Sequence, residues 1–170
     1  MGMIGSFIRL SEKELNEIKN DSELLESKAF AEDAFDADWM LDVDKSWEGL
    51  HYLLTGQSLA DSEVDGYPDG IRSKIVFSNQ FVDPEQDLGY GPAHYLTASQ
   101  VKQADEELSK MNLEVLRKNI DWSDMQARNV YPQIWQESEG PEYLFENFTD
   151  LKEFVKKAAE ENEALISFIC

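Results

Sequence analysis

Apolar positions along this 170-residue chain form short runs near its two ends and recur at helical spacing between them. Residues 3–10 are rich in Ile and Phe and alternate loosely, which predicts a strand that ends at Ser11. Ser11-Glu12-Lys13-Glu14 follows with the hydroxyl and carboxylate of a capping box, so a helix is expected through Lys19. A second helical stretch over 22–35 carries Leu24, Leu25, Ala29, Phe30 and Ala34 among acids. The clearest helix runs from Asp44, as its cap, to Thr55, with Gly56 closing it in a left-handed conformation. Val43, Trp47, Leu50, His51 and Leu54 share its apolar stripe, while Lys45, Glu48 and Tyr52 are expected to face away.

Residues 60–70 are dense in turn formers and predict a loop, after which Ile71 to Phe77 alternates as a strand should. Asn79 to Gly91 reads as a further loop, broken at Pro84 and at its glycines. Ala93 to Leu96 is a short strand feeding a helix capped by Thr97, with Gln100 completing a box and Val101, Ala104, Leu108 and Met111 buried. A short helix is expected over 113–120, then irregular chain over 121–135, then a helix capped by Thr149 or Asp150 and ended by Asn162. Ala164 to Ile169 is apolar at nearly every position, which places the last strand centrally in its sheet and covered on both faces. Helices and strands mix without a βαβ rhythm or a repeat. The expectation is one α+β domain spanning 1–170, a mixed sheet holding the N-terminal and C-terminal strands against several amphipathic helices.

Composition changes this picture through charge. The chain carries 35 acids against 15 Lys and Arg, a formal net charge of -20, yet its 42% hydrophobic content is enough to fold. Phosphate backbones and anionic lipid would be repelled, so neither nucleic acid nor membrane is an expected partner, and basic proteins would be steered inward. Residues 12–48 concentrate the acids and predict a solvated acidic outer face. The single thiol, Cys170, gives no internal disulfide and no Cys-based zinc site, which suits a reducing cytosol. The apolar start of the chain ends after about eight residues without a basic leader, and no stretch has the roughly 18 apolar residues of a membrane span.

No P-loop, dinucleotide fingerprint, serine elbow or helical histidine pair is present, so no cofactor and no metal are expected. Two places carry candidate chemistry. His51 lies on an otherwise apolar stripe, either as a hydrogen-bonded core histidine or as a base or ligand contact at the floor of a cleft. The run Gly89 to Thr97 combines glycines, Tyr90, His94, Tyr95 and a helix N-terminus begun by Thr97, which together suit a small anion or ligand pocket or a loop packed by its own tyrosines. Trp135, with Trp47 and Trp122, is either a partner anchor or core.

Several segments together resemble one family: Met1-Gly2-Met3-Ile4-Gly5, Leu41 to Trp47 running into His51 and Leu54-Thr55-Gly56, Gly89 to Ala93, and Tyr131 to Trp135. They are similar to the YfbM-like bacterial proteins, a domain of unknown function. The resemblance implies a small α+β fold, a bacterial cytosolic setting and no catalytic residue to carry over; at His94 the family pattern favours Arg. Charge and the lack of catalytic spacing then lead to a non-enzymatic acidic binding or inhibitor protein of the immunity type, acting on a basic partner. The alternative is a small-molecule binder or enzyme with a pocket between His51 and 89–97. Carboxylates imitating a nucleic-acid backbone are a weaker third reading.

Overall fold

A computed structural model describes residues 2–170, so Met1, which opens the first resembling segment, lies outside the described residues. Strand β1 (Gly5–Leu10) pairs on one side with β2 (Met40–Asp42) and on the other with β4 (Ala164–Ile169), which in turn pairs with β3 (His94–Leu96). The order is β2-β1-β4-β3, and Phe7 sits opposite both Leu41 and Ser167. Every pairing is antiparallel. The expected mixed sheet is therefore corrected: the 71–77 stretch stays out of it, and each remaining strand runs opposite to its neighbour. The architecture is α+β, with both terminal strands at its centre.

Alternation of side chains across β1 and β4 divides the interior in two. Phe7 and Leu165 point into a large core with Trp47, Leu50, Trp135, Phe148 and Val155. That core is closed by α3 (Trp47–Thr55), α5 (Ala98–Ser109) and α8 (Gly140–Glu160). Ile8, Ile166 and Phe168 point the other way, onto a smaller cluster with Leu15, Leu25 and Leu88. Here the cover is α1 (Glu12–Asn20), α2 (Glu23–Ala29) and the loop around 82–93.

Local signals account for most element ends. Ser11 Oγ accepts from the Glu14 amide and starts α1, although Glu14 itself turns away to Lys28, 2.8 Å distant, so only half the expected box forms. At α5 both halves of the Thr97/Gln100 box are present. Gly56 ends α3 at φ 75°, a left-handed conformation that costs glycine little.

Five expectations are corrected. The 60–70 loop holds α4 (Leu59–Asp65), started by Ser58, whose hydroxyl accepts from the Asp61 amide. The 71–77 strand is a 3-10 turn at Ile71–Lys74 followed by Ile75, Val76 and Phe77, all buried in succession as a segment tucked inside the core rather than lying on a sheet. The irregular 121–135 stretch contains α7 (Trp122–Ala127) behind an Asp121 cap, and α6 (Leu113–Asn119) precedes it as expected. The last helix begins nine residues before Thr149, with Pro141 in its first turn, where a missing N–H costs nothing. Asp44 does not cap α3; it has φ 47° and accepts from the Tyr143 hydroxyl at 2.7 Å.

Candidate functional site

The two histidines come near one another without sharing a site. Both imidazoles pack edge-on against Phe77, with ring centroids 5.4 Å away for His51 and 5.6 Å for His94. His51 is 1% exposed, and its Nε2 lies 2.9 Å from Ser62 Oγ. Ser62 spends its own proton on Gln57 Oε1, so the imidazole must donate through Nε2–H. This Ser–His pair therefore has the wrong tautomer for His51 to take the serine proton, and both members are buried. Burial lowers the His51 pKa to about 4, which keeps the ring neutral at pH 7. Of the two readings offered for His51, the geometry is that of a hydrogen-bonded core histidine.

His94 sits at the start of β3 opposite Ser167, and its Nδ1 accepts from the Asn79 amide at 3.0 Å. Its pKa is likewise lowered to about 4 by burial. It lines a crevice with Tyr90, Trp47, Phe77 and the ends of β1 and β4, a cavity of about 30 Å³, the size of one or two water molecules. His51, Tyr95 and Thr97 are not in its walls, and no carboxylate is either. Among the described residues the crevice at His94 does not reach His51, because the Phe77 ring packs against both imidazoles and stands between them.

The remaining candidates are committed to the fold. Tyr95 projects to the opposite face of the sheet, where its hydroxyl accepts from Lys19 at 3.1 Å and the ammonium lies over the ring. Thr97 is occupied in its capping box. The helix N-terminus it begins is not open to an external anion, since the Ala98 amide donates to Glu12 Oε1 at 2.6 Å. Tyr90 is the exposed member, on a loop whose shape is set by Asp87: one carboxylate oxygen accepts from both the Gly89 and Gly91 amides at 2.9 Å. These two bonds hold the Asp87 carboxyl below its ordinary range. Trp135 is fully buried, donates to the Val130 carbonyl at 2.8 Å and leaves no room for a side chain at Gly49, where a Cβ would lie 2.5 Å from the indole. It is a core pillar.

Glu48 is the polar residue that sequence reasoning misplaced. It is 8% exposed, and its two carboxylate oxygens accept from the Leu59 and Tyr131 amides at 2.9 and 2.8 Å. Desolvation raises its pKa, with Glu63 and Asp61 adding to the effect. Arg9 was also missed: buried on β1, its guanidinium binds Asp38 at 2.9 Å and Glu163 at 2.8 Å. The signal for Arg9 was its place inside an apolar strand run, between Ile8 and Leu10; Glu48, between Trp47 and Gly49 and preceded by Asp44-Lys45-Ser46, carried little local mark. Among the described residues no group of three or more His, Cys, Asp or Glu is placed to hold a metal, and no helix is long and apolar enough to cross a membrane.

This is an α+β protein in which the candidates His51 and Trp135 are packed into the interior while Tyr90 stays exposed. The chain belongs to the family of the domain of unknown function DUF1877, which it matches over residues 1–168. Its fold is shared by the protein of unknown function YfbM from Escherichia coli, with a TM-score of 0.70 at 18% identity, covering 98% of this chain and 99% of that one. No curated protein matches the chain.

Proposed function

We propose that this protein is a non-enzymatic acidic binding protein, an inhibitor of the immunity type, whose exterior engages a basic partner protein. The observation that carries the reading is the uncompensated surface. Among the described residues, eight of the fifteen cations stand within 4.0 Å of carboxylates, and they engage only eight of the thirty-five acids. Most carboxylates are left without a cation, and a surface of this sign attracts a basic protein over a range set by the screening length, about 8 Å at physiological salt. The neutral, enclosed His51 and the water-sized crevice at His94 support binding rather than turnover. With Cys170 its single thiol, the chain needs no oxidising compartment, and we place its action in the cytosol.

Capture of partners from native lysate, eluted in a salt gradient, tests this. One basic protein in stoichiometric amount, released at moderate salt, is the expected result. Retention that is indifferent to salt, or a partner with no excess of Lys and Arg, overturns it.

A further inference from the structure

The acids are not the only unusual feature of the surface. Leu24, Phe30 and Phe35 are 45%, 46% and 59% exposed, three large apolar side chains within twelve residues of chain. They stand among Asp21, Glu23, Glu26, Glu32, Asp33 and Asp36, for which no cation lies within pairing distance among the described residues. The single cation in this stretch, Lys28, is spent on Glu14 at 2.8 Å and on the face of Trp39.

The stretch is fixed to the rest of the molecule. Ser22 Oγ donates to Asp83 at 2.7 Å, and Gln86 Nε2 donates to the Ser22 carbonyl at 2.8 Å, which joins α2 to the 83–90 loop that carries exposed Tyr90. The Phe30 ring meets Phe168 of the central strand edge-on at 6.2 Å. The start of α2 and the Phe30 ring are thereby fixed, and Leu24, Phe30 and Phe35 stand in a stretch whose one cation, Lys28, is already paired.

We propose that the face formed by α2, the turn after it and the 83–90 loop docks a basic amphipathic segment of a partner protein, its apolar side chains covering Leu24, Phe30 and Phe35 and its Lys or Arg residues meeting the surrounding acids. This rests on the acidic-binding reading and gives that reading a location. Charge complementarity selects the occupant. A second copy of the chain would set like charges against each other, and an anionic lipid surface would be repelled, whereas a basic amphipathic helix or hairpin satisfies both the apolar and the acidic components. Anchors of Leu and Phe type account for the affinity, and the acidic rim for the rate of encounter.

The test uses two labelled 18-residue peptides, one an amphipathic pattern of Lys and Leu, the other of Lys and Ser with the same charge, titrated against the full chain at low and high salt. The Lys/Leu peptide binds about tenfold more tightly than the Lys/Ser peptide, and Leu24→Ser with Phe35→Ser together weakens it about tenfold, a combined loss of about 1.4 kcal/mol from the two anchors. Val115→Ser, at an exposed apolar site on α6, leaves binding within about twofold as the control. Glu23→Gln with Glu26→Gln slows association and flattens the salt dependence. Should both peptides bind equally and ignore the Leu24/Phe35 pair, this face is wrong while acidic binding stands. If neither binds at low salt, both readings fall. Sedimentation showing a dimer that the Leu24/Phe35 pair dissolves would assign the face to a second copy and overturn the proposal.

Discussion

On one face of the sheet, α3, α5 and α8 enclose Trp135, Phe148 and Val155, and even the polar groups there are spoken for: Glu48 by two amides, His51 by Ser62, Trp135 by a carbonyl. On the other, two short helices and a loop cover a smaller cluster, and leave Leu24, Phe30 and Phe35 open to solvent among unpaired acids. The first arrangement is what stability requires, because an unsatisfied polar group or a void in a close-packed interior is costly. The second leaves three large apolar side chains open within twelve residues of chain, where Val64 and Val115 stand singly on the helices of the other side. The difference separates a scaffold from a surface available for recognition.

Removing the pillar of the thick face has the largest expected effect. Trp135→Ala costs about 3–5 kcal/mol through the cavity it leaves, read as a drop in the urea midpoint; a loss below about 1 kcal/mol would show that the two faces do not differ in this way. Acid comes next. The His51 pKa is lowered to about 4 from 6.5, so the unfolded chain takes up a proton in that window and the folded chain does not. Stability is fully present above pH 6.5 and falls as pH drops toward 4, by about 3 kcal/mol from this group. His51→Gln removes that share of the slope, and equal slopes for the two proteins between pH 7 and 4 would contradict the burial argument.

Smaller changes sharpen the contrast. Glu48→Ala strands the Leu59 and Tyr131 amides and costs about 2 kcal/mol after the carboxylate's own desolvation is recovered. Thr97→Ala removes one capping bond of α5, worth about 1 kcal/mol by chemical denaturation. Leu24→Ser with Phe35→Ser, on the thin face, shifts stability by less than about 0.5 kcal/mol per site while changing binding. A large loss of stability there would mean that these side chains belong to the core.

Much of the architecture could be read where the deciding interaction is local. The terminal strands, the Thr97/Gln100 box and the Gly56 stop depend on residues within a turn of each other. The errors share a cause. Ile75 to Phe77 has the apolar content of a strand but is buried as a run, because α3, α5 and the sheet surround it. Glu48 and Tyr52 lie where a one-sided helix would face water, yet α4, α7 and the Tyr131 turn cover that side of α3. The candidate site suffered in the same way: a histidine on an apolar stripe is legible, but its partner Ser62 was hidden in a segment that read as a loop.

By itself the sequence determined the charge, the helix caps, the apolar runs that must enter a core and the family resemblance, since each is a property of composition or of neighbours along the chain. Only the tertiary structure decided that Glu12 would occupy the N-terminus of α5, that Phe77 would pack against both histidines and that Leu24 and Phe35 would remain uncovered. Burial and pairing are relations between segments far apart in the chain, and no local propensity encodes which distant surface arrives to make them.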